Sequence, residues 1–168
     1  MCGKAGSDMK LNLGCGKDIK EGFWNVDAVY HDGVDEVIDL SKVVLLFNDV
    51  EYINCQDLIE HFYRDVAVGF LKQCYRILNC GGKIYIQTPD LETLCKRYCG
   101  ALENPTELQH DMNGEQVAQS LYAHPNIYDS HKWCYDKYTL REVLESIGFV
   151  IESIGSDGGQ NLLCLARK

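Results

Sequence analysis

The feature that most constrains this chain is a short apolar run that stops on two glycines. Leu11-Asn12-Leu13-Gly14-Cys15-Gly16-Lys17-Asp18 reads as a strand over 10–14 followed by a turn, and the next short run, Trp24 to Val29, carries Asp27. Gly14 and Gly16 lack the Cβ that would collide with a ligand drawn up to the backbone. Asp27 closes a strand where a carboxylate can accept both hydroxyls of a ribose. Only about ten residues separate Gly14 from Asn25, so a crossover helix between these strands can be little more than one turn. Such a segment is either a tight bend or a ligand loop, and the rest of the chain must decide.

Further strands are expected over Glu36 to Asp39 and Val50 to Asn54. Ala67, Phe70, Leu71, Cys74, Ile77 and Leu78 recur at helical spacing, and Gly81-Gly82 would stop that helix. Lys83 to Thr88 alternates as a strand, and Pro89-Asp90 opens a helix through Cys99, with Asp90 as N-cap or substrate contact. A further helix is expected from Glu115 to Tyr122. Thr139 and Glu142 predict a capping box ahead of Leu140, Val143, Leu144 and Ile147, and Gly148 ends that helix. Phe149 to Ile154 and Asn161 to Ala166 complete the strands.

Strands alternating with helices imply an α/β sheet that binds ligands at the carboxyl ends of its strands. The last connection, Gly155 to Gln160, holds six residues, too few for a parallel crossover but enough for a hairpin. The final strand should therefore run antiparallel to its neighbour. The expectation is a single domain over 1–168, with a flexible N-terminus at 1–9 and a substrate-side region at 90–137.

The chain carries 25 acidic against 16 basic residues, a net charge of -9, which disfavours binding to nucleic-acid phosphates. The longest apolar run, Val43 to Phe47, is far too short to span a membrane, and Met1 to Lys10 lacks the apolar core of a secretory signal. Nine scattered cysteines with no C-x-x-C pair indicate reduced thiols in a cytoplasmic protein, most of them small core residues. Cys95 and Cys99 could share a helix face, but no neighbouring ligands suggest zinc, and no metal site is assigned.

A pyrophosphate cofactor needs a third glycine and an unblocked helix N-terminus, whereas this loop has Asp18 there. A carboxylate repels a pyrophosphate but can pair with the ammonium group of S-adenosylmethionine. The loop chemistry therefore favours that sulfonium cofactor over NAD.

The ordered series Leu11 to Gly16, Asn25-Val26-Asp27, Val37-Ile38-Asp39-Leu40, Leu58-Ile59-Glu60-His61, Arg76 to Gly82 and Thr88-Pro89-Asp90-Leu91 resembles the class I S-adenosylmethionine-dependent methyltransferases. It is most similar to small members with an LNLGCG…NVD…LEH…PDL series, over about residues 10–168. The resemblance implies a Rossmann-like three-layer sandwich with a mostly parallel seven-stranded sheet and an antiparallel last strand. It also implies that Gly14 and Gly16 approach the methionine part of the cofactor, that Asp27 binds the ribose and Asp39 with Leu40 the adenine, and that Gln56 and Asp57 face the methyl group. Leu13, Cys15, Asp18, Ala28 and His61 are expected in the same cofactor site. Departures from the pattern are Asp18 in place of the third glycine, the shortened first crossover, and Asn79-Cys80 where Lys-Pro is usual.

Methyl transfer from a sulfonium is an in-line displacement, so alignment and desolvation supply most of the catalysis. A base helps only if the acceptor must lose a proton. His61, His131 and Tyr135 are the candidates, with Tyr138 able to orient an acceptor. Each histidine could instead serve local structure. The family's Asn-Pro-Pro-Tyr or Asp-Pro-Pro-Tyr run of base-methylating enzymes is replaced by Asn54-Cys55-Gln56-Asp57, so a small-molecule acceptor is expected. A non-catalytic protein that keeps the fold is the alternative. The oligomeric state is not legible.

Overall fold

Leu11, Leu13 and Val26 retain no exposed surface, and the short strands that carry them form the centre of a sheet. The structure, a computed structural model, describes residues 8–103, 114–122 and 130–168. Most of the expected flexible N-terminus, and parts of the substrate-side region, lie outside the described residues.

The strands are β1 (Lys10–Leu13), β2 (Trp24–Asp27), β3 (Glu36–Val37), β4 (Val50–Gln56), β5 (Leu78–Pro89), β6 (Val150–Ser156) and β7 (Asn161–Arg167). They form one seven-stranded sheet in the order β3-β2-β1-β4-β5-β7-β6. Every pairing from β3 to β5 is parallel, and β7 is antiparallel to both β5 and β6. The short last connection thus makes the hairpin it was expected to make.

Four helices are described: α1 (Arg64–Ile77), α2 (Leu91–Glu103), α3 (Gly114–Tyr122) and α4 (Lys137–Ile147). Helix α1 buries Ala67, Phe70, Leu71, Cys74 and Ile77, and α4 buries Leu140, Val143 and Leu144. Both pack on the sheet face made by Leu11, Leu13, Ile53, Cys55, Ile84, Ile86 and Leu162. Burying each such aliphatic side chain contributes about 1.5–3 kcal/mol, so this layer supplies most of the apolar stabilisation.

The opposite face is built differently. Its rows include Asn25, Asn12, Asn54 and Tyr85 in register. No helix occupies the connection from β1 to β2, where one short turn of helix was expected. A loop over residues 14–23 stands there instead, tied down by three buried asparagines. Asn54 Nδ2 donates to Asn12 Oδ1 at 2.7 Å, and Asn12 Nδ2 donates to Asn25 Oδ1 at 2.9 Å and to the Asp18 carbonyl at 2.8 Å. Asn25 Oδ1 also accepts from Lys20 N, and its Nδ2 donates to the carbonyls of Lys20 and Phe23. A ten-residue connection leaves too little chain for a packed helix, so side-chain amides satisfy the loop backbone in its place.

Two expectations about helix ends are corrected. Gly81-Gly82 does not stop α1, because Leu78 already turns extended and pairs with Val50. The glycines instead sit where the β4–β5 register jumps from Val50↔Leu78 to Tyr52↔Lys83, and a Cβ on Gly82 would stand 2.9 Å from the Val50 carbonyl. The capping box of α4 lies one turn earlier than expected. Asp136 accepts from Tyr138 N at 3.0 Å and Thr139 N at 2.7 Å, while the Thr139 hydroxyl accepts from Asp136 N. Gly148 closes α4 at φ 117°, as expected.

Candidate functional site

The carboxyl ends of β1, β2 and β4 leave a cleft of about 330 Å³. Its lining includes Gly14, Gly16, Asp27, Ala28, Asp39, Leu40, Asp57 and His61. A second hollow of about 270 Å³ lies around the glycine turn, lined by Asn12, Cys15, Asp18, Asn54 and Gln56. The two share Gly14, Gly16 and Asp57 in their linings, so they adjoin at the turn. Eleven of the twelve residues proposed for the cofactor border one or the other. Leu13 does not; it is wholly buried in the core.

The two glycines play different parts. Gly14 has φ +71°, and a Cβ there would stand 2.9 Å from Leu58 Cδ1, so the protein itself demands glycine. Gly16 has φ +49° and no protein atom within 4 Å of its missing Cβ, so the space beside it is open to a ligand. Asp27 is fixed by its own loop: Gly16 N donates to Oδ2 at 2.7 Å and Val29 N to Oδ1 at 2.9 Å. These bonds occupy about two of the four acceptor positions of a carboxylate, and Asp27 lines the cleft.

Other charges are already engaged. Asp39 accepts from Ser41 Oγ at 2.5 Å and pairs with Lys42 at 2.7 Å; the Lys42 bond, with that from Ser41, holds its carboxyl below the usual range. Asp18 is largely exposed and pairs with Lys20 at 2.7 Å. Asp57 adopts φ 49°, a left-handed conformation that costs a non-glycine residue energy. Its carboxylate accepts from Gln87 Nε2 at 3.1 Å, and desolvation pushes its pKa up. The Cys15 thiol is buried and pushed up to about 11, chiefly by desolvation, so it is inert.

Beside the cleft a loop from the substrate-side region clamps a 3-10 turn, Ile59–His61. Lys132 N and Trp133 N both donate to the Glu60 carbonyl, and Lys132 Nζ donates to the His61 carbonyl at 2.8 Å. This brings His61 and His131 together, ring centroids 4.9 Å apart and edge to face. His61 Nδ1 lies 3.4 Å from the Ser130 carbonyl. His131, with Leu91, Leu121, Tyr122 and Trp133, lines a neighbouring hollow of about 340 Å³.

Tyr135 is not brought to the cleft. Its side chain is fully buried in the core, its hydroxyl has no hydrogen-bond partner, and burial pushes its pKa up to about 12. Tyr138 is 67% exposed on the outer side of α4. Asp90 is an N-cap: it accepts from Glu92 N at 3.2 Å and Thr93 Oγ1 at 2.6 Å.

Glu60 is a residue the sequence reading does not single out. It is 1% exposed, and its Oε2 accepts from the Thr88 hydroxyl at 3.0 Å while Oε1 has no partner. Burial pushes its pKa up to about 8. The only sequence signal was its place beside His61, because the inward aim of the side chain comes from the 3-10 turn. Lys132, Leu58, Ile38 and Phe62 also line the cleft without having been expected there.

No protein-family profile and no curated protein sequence matches the chain. Solved structures do. An S-adenosylmethionine-dependent methyltransferase of Archaeoglobus fulgidus is 17% identical, with a TM-score of 0.62 over 95% of this chain and 86% of that one. One of Mesorhizobium loti is also 17% identical, with a TM-score of 0.56 over 95% and 90% of the two chains. The 1,6-didemethyltoxoflavin-N1-methyltransferase of Burkholderia thailandensis, solved with 1,6-didemethyltoxoflavin and S-adenosylhomocysteine bound, is 14% identical, with a TM-score of 0.63 over 95% and 70%. The chain has the Rossmann-like fold of the class I S-adenosylmethionine-dependent methyltransferases.

Proposed function

We propose that this chain is an S-adenosylmethionine-dependent methyltransferase acting on a small-molecule acceptor. The observation that carries this reading is the pairing of open space at Gly16 with a carboxylate fixed beside it. Asp27 is oriented before any ligand arrives, and its remaining lone pairs suit the two hydroxyls of a ribose. Leu40, Ile38 and Phe62 offer apolar surface for an adenine, with the Asp39 turn at its edge. The hollow bordered by Asp18, Gln56 and Asp57 suits the cationic amino-acid end of the cofactor. The Burkholderia enzyme, which holds a small acceptor on the same fold, supports a small-molecule substrate.

The cofactor supplies an electrophilic methyl group, so the chain need only align an acceptor and exclude water. The 130–134 loop walls the cleft on the acceptor side, and the hollow beneath His131 and Trp133 gives the acceptor a place. His131 and His61 are the groups near enough to take a proton there; Tyr135 would act only by holding this wall in place from the core.

The test is turnover of methyl-labelled cofactor with pooled small molecules. Acceptor-dependent formation of S-adenosylhomocysteine is expected, and His131→Ala should slow it about 10²–10⁴-fold if that histidine is the base. The loop in place of the first crossover helix favours a second reading, a non-catalytic protein that binds the cofactor. Cofactor binding without turnover in any pool would establish that alternative.

A further inference from the structure

The loop clamped on the 3-10 turn brings the two candidate bases, His61 and His131, against Glu60, a buried carboxylate to which the methyl-transfer reading gives no role. Glu60, His61 and His131 each offer one ligand atom, all within 4.8 Å of one another. Two imidazoles and one carboxylate from two separate segments are the donors that zinc and neighbouring first-row divalent ions take, with a fourth position left open. Glu60 Oε1 provides the independent observation. It belongs to a side chain that is 1% exposed, and no hydrogen bond reaches it, while Oε2 is held by the Thr88 hydroxyl. A buried carboxylate oxygen left unpartnered beside two histidines is costly unless something cationic takes it.

We propose that Glu60 Oε1, His61 and His131 bind a divalent transition-metal ion at the seam between the cofactor cleft and the acceptor hollow. Around a tetrahedral ion with bonds of about 2.0–2.2 Å the donor atoms lie about 3.4 Å apart, so the site closes by small turns of the two half-buried rings. Thr88 orients the carboxylate from the second side, as outer partners of metal ligands do. His61 lines the cofactor cleft and His131 the adjoining hollow, so an ion between them stands where an acceptor's oxygen or nitrogen would approach. Ion binding does not depend on the methyl-transfer reading and is tested without cofactor.

The experiment is calorimetric titration of Zn²⁺ and Co²⁺ into the chelator-stripped full chain under reducing conditions. One equivalent should bind. His61→Ala and His131→Ala should each weaken binding at least a hundredfold, and Thr88→Val roughly 10–100-fold. Cys95→Ser and Cys99→Ser should leave it unchanged. If a histidine variant folds poorly by circular dichroism, the cobalt spectrum of the native chain decides. Four-coordinate bands without thiolate charge transfer support the site, and a thiolate band overturns it. Absence of binding, or binding that survives both histidine substitutions, also overturns it.

Discussion

At the residue scale, the glycine pair makes a sharp contrast. A methyl group on Gly14 collides with Leu58 in the protein itself, whereas one on Gly16 meets only the open cleft. Gly14→Ala should therefore lower Tm through both clash and backbone strain, losing roughly 2–4 kcal/mol. Gly16→Ala carries only the backbone strain of about 1–2 kcal/mol. It should keep the fold yet weaken S-adenosylhomocysteine binding more than tenfold, measured by calorimetry beside a thermal melt. Equal effects on affinity and Tm from both variants would contradict the assignment. The sequence marks both positions as special but cannot separate their roles, because Leu58 reaches Gly14 only through the sheet.

The element scale is where sequence reading succeeds at periodicity and fails at ends. The spacing of Phe70, Leu71 and Cys74 finds α1, yet Gly81-Gly82 misplaces its end because a strand pairing with Val50 captures Leu78 first. Likewise Thr139 belongs to the capping box of α4, but as its third position rather than its cap. Asp136→Ala should cost about 1 kcal/mol, while Glu142→Gln should change stability by less than about 0.5 kcal/mol. The Asp136 carboxyl is held below its ordinary range first by the Thr139 N–H, so its folded pKa is depressed. Its contribution is therefore complete above about pH 4 and lost as pH falls through the folded value. Urea melts of the two proteins should converge at low pH and separate at neutral pH.

The asparagine chain under the glycine loop is a second element-scale device. Each of Asn12, Asn25 and Asn54 looks like an ordinary strand residue, and only the register of β2, β1 and β4 lines them up. Asn12→Ala strands buried partners on Asn25, Asn54 and Asp18, each worth roughly 1–3 kcal/mol. It should destabilise the chain by at least about 2 kcal/mol and speed hydrogen exchange at Gly14 and Lys20. Unchanged exchange would show that the loop holds its shape some other way.

Across the whole molecule, the antiparallel last strand was legible because a six-residue connection admits a hairpin and no parallel crossover, whereas the strand order appears only in the folded sheet. The glycine turn and its aspartate were legible because two glycines directly after a short apolar run mark a sharp bend at a strand end, and Asp27 closes the next such run. The convergence of Glu60, His61 and His131 was not, since 70 positions separate the histidines and only the clamped loop joins them. Among the described residues no helix is long and apolar enough to cross a membrane.

The central claim is that the cleft lined by Gly16 and Asp27 holds a sulfonium nucleoside, and equilibrium titration of the native chain tests it most directly. S-adenosylhomocysteine should bind with one-to-one stoichiometry, NADH should give no heat, and Asp27→Ala should lose roughly a hundredfold in affinity, about 3 kcal/mol for two charge-assisted bonds. Binding of NADH instead, or an unchanged affinity in a folded Asp27→Ala variant, would contradict the account.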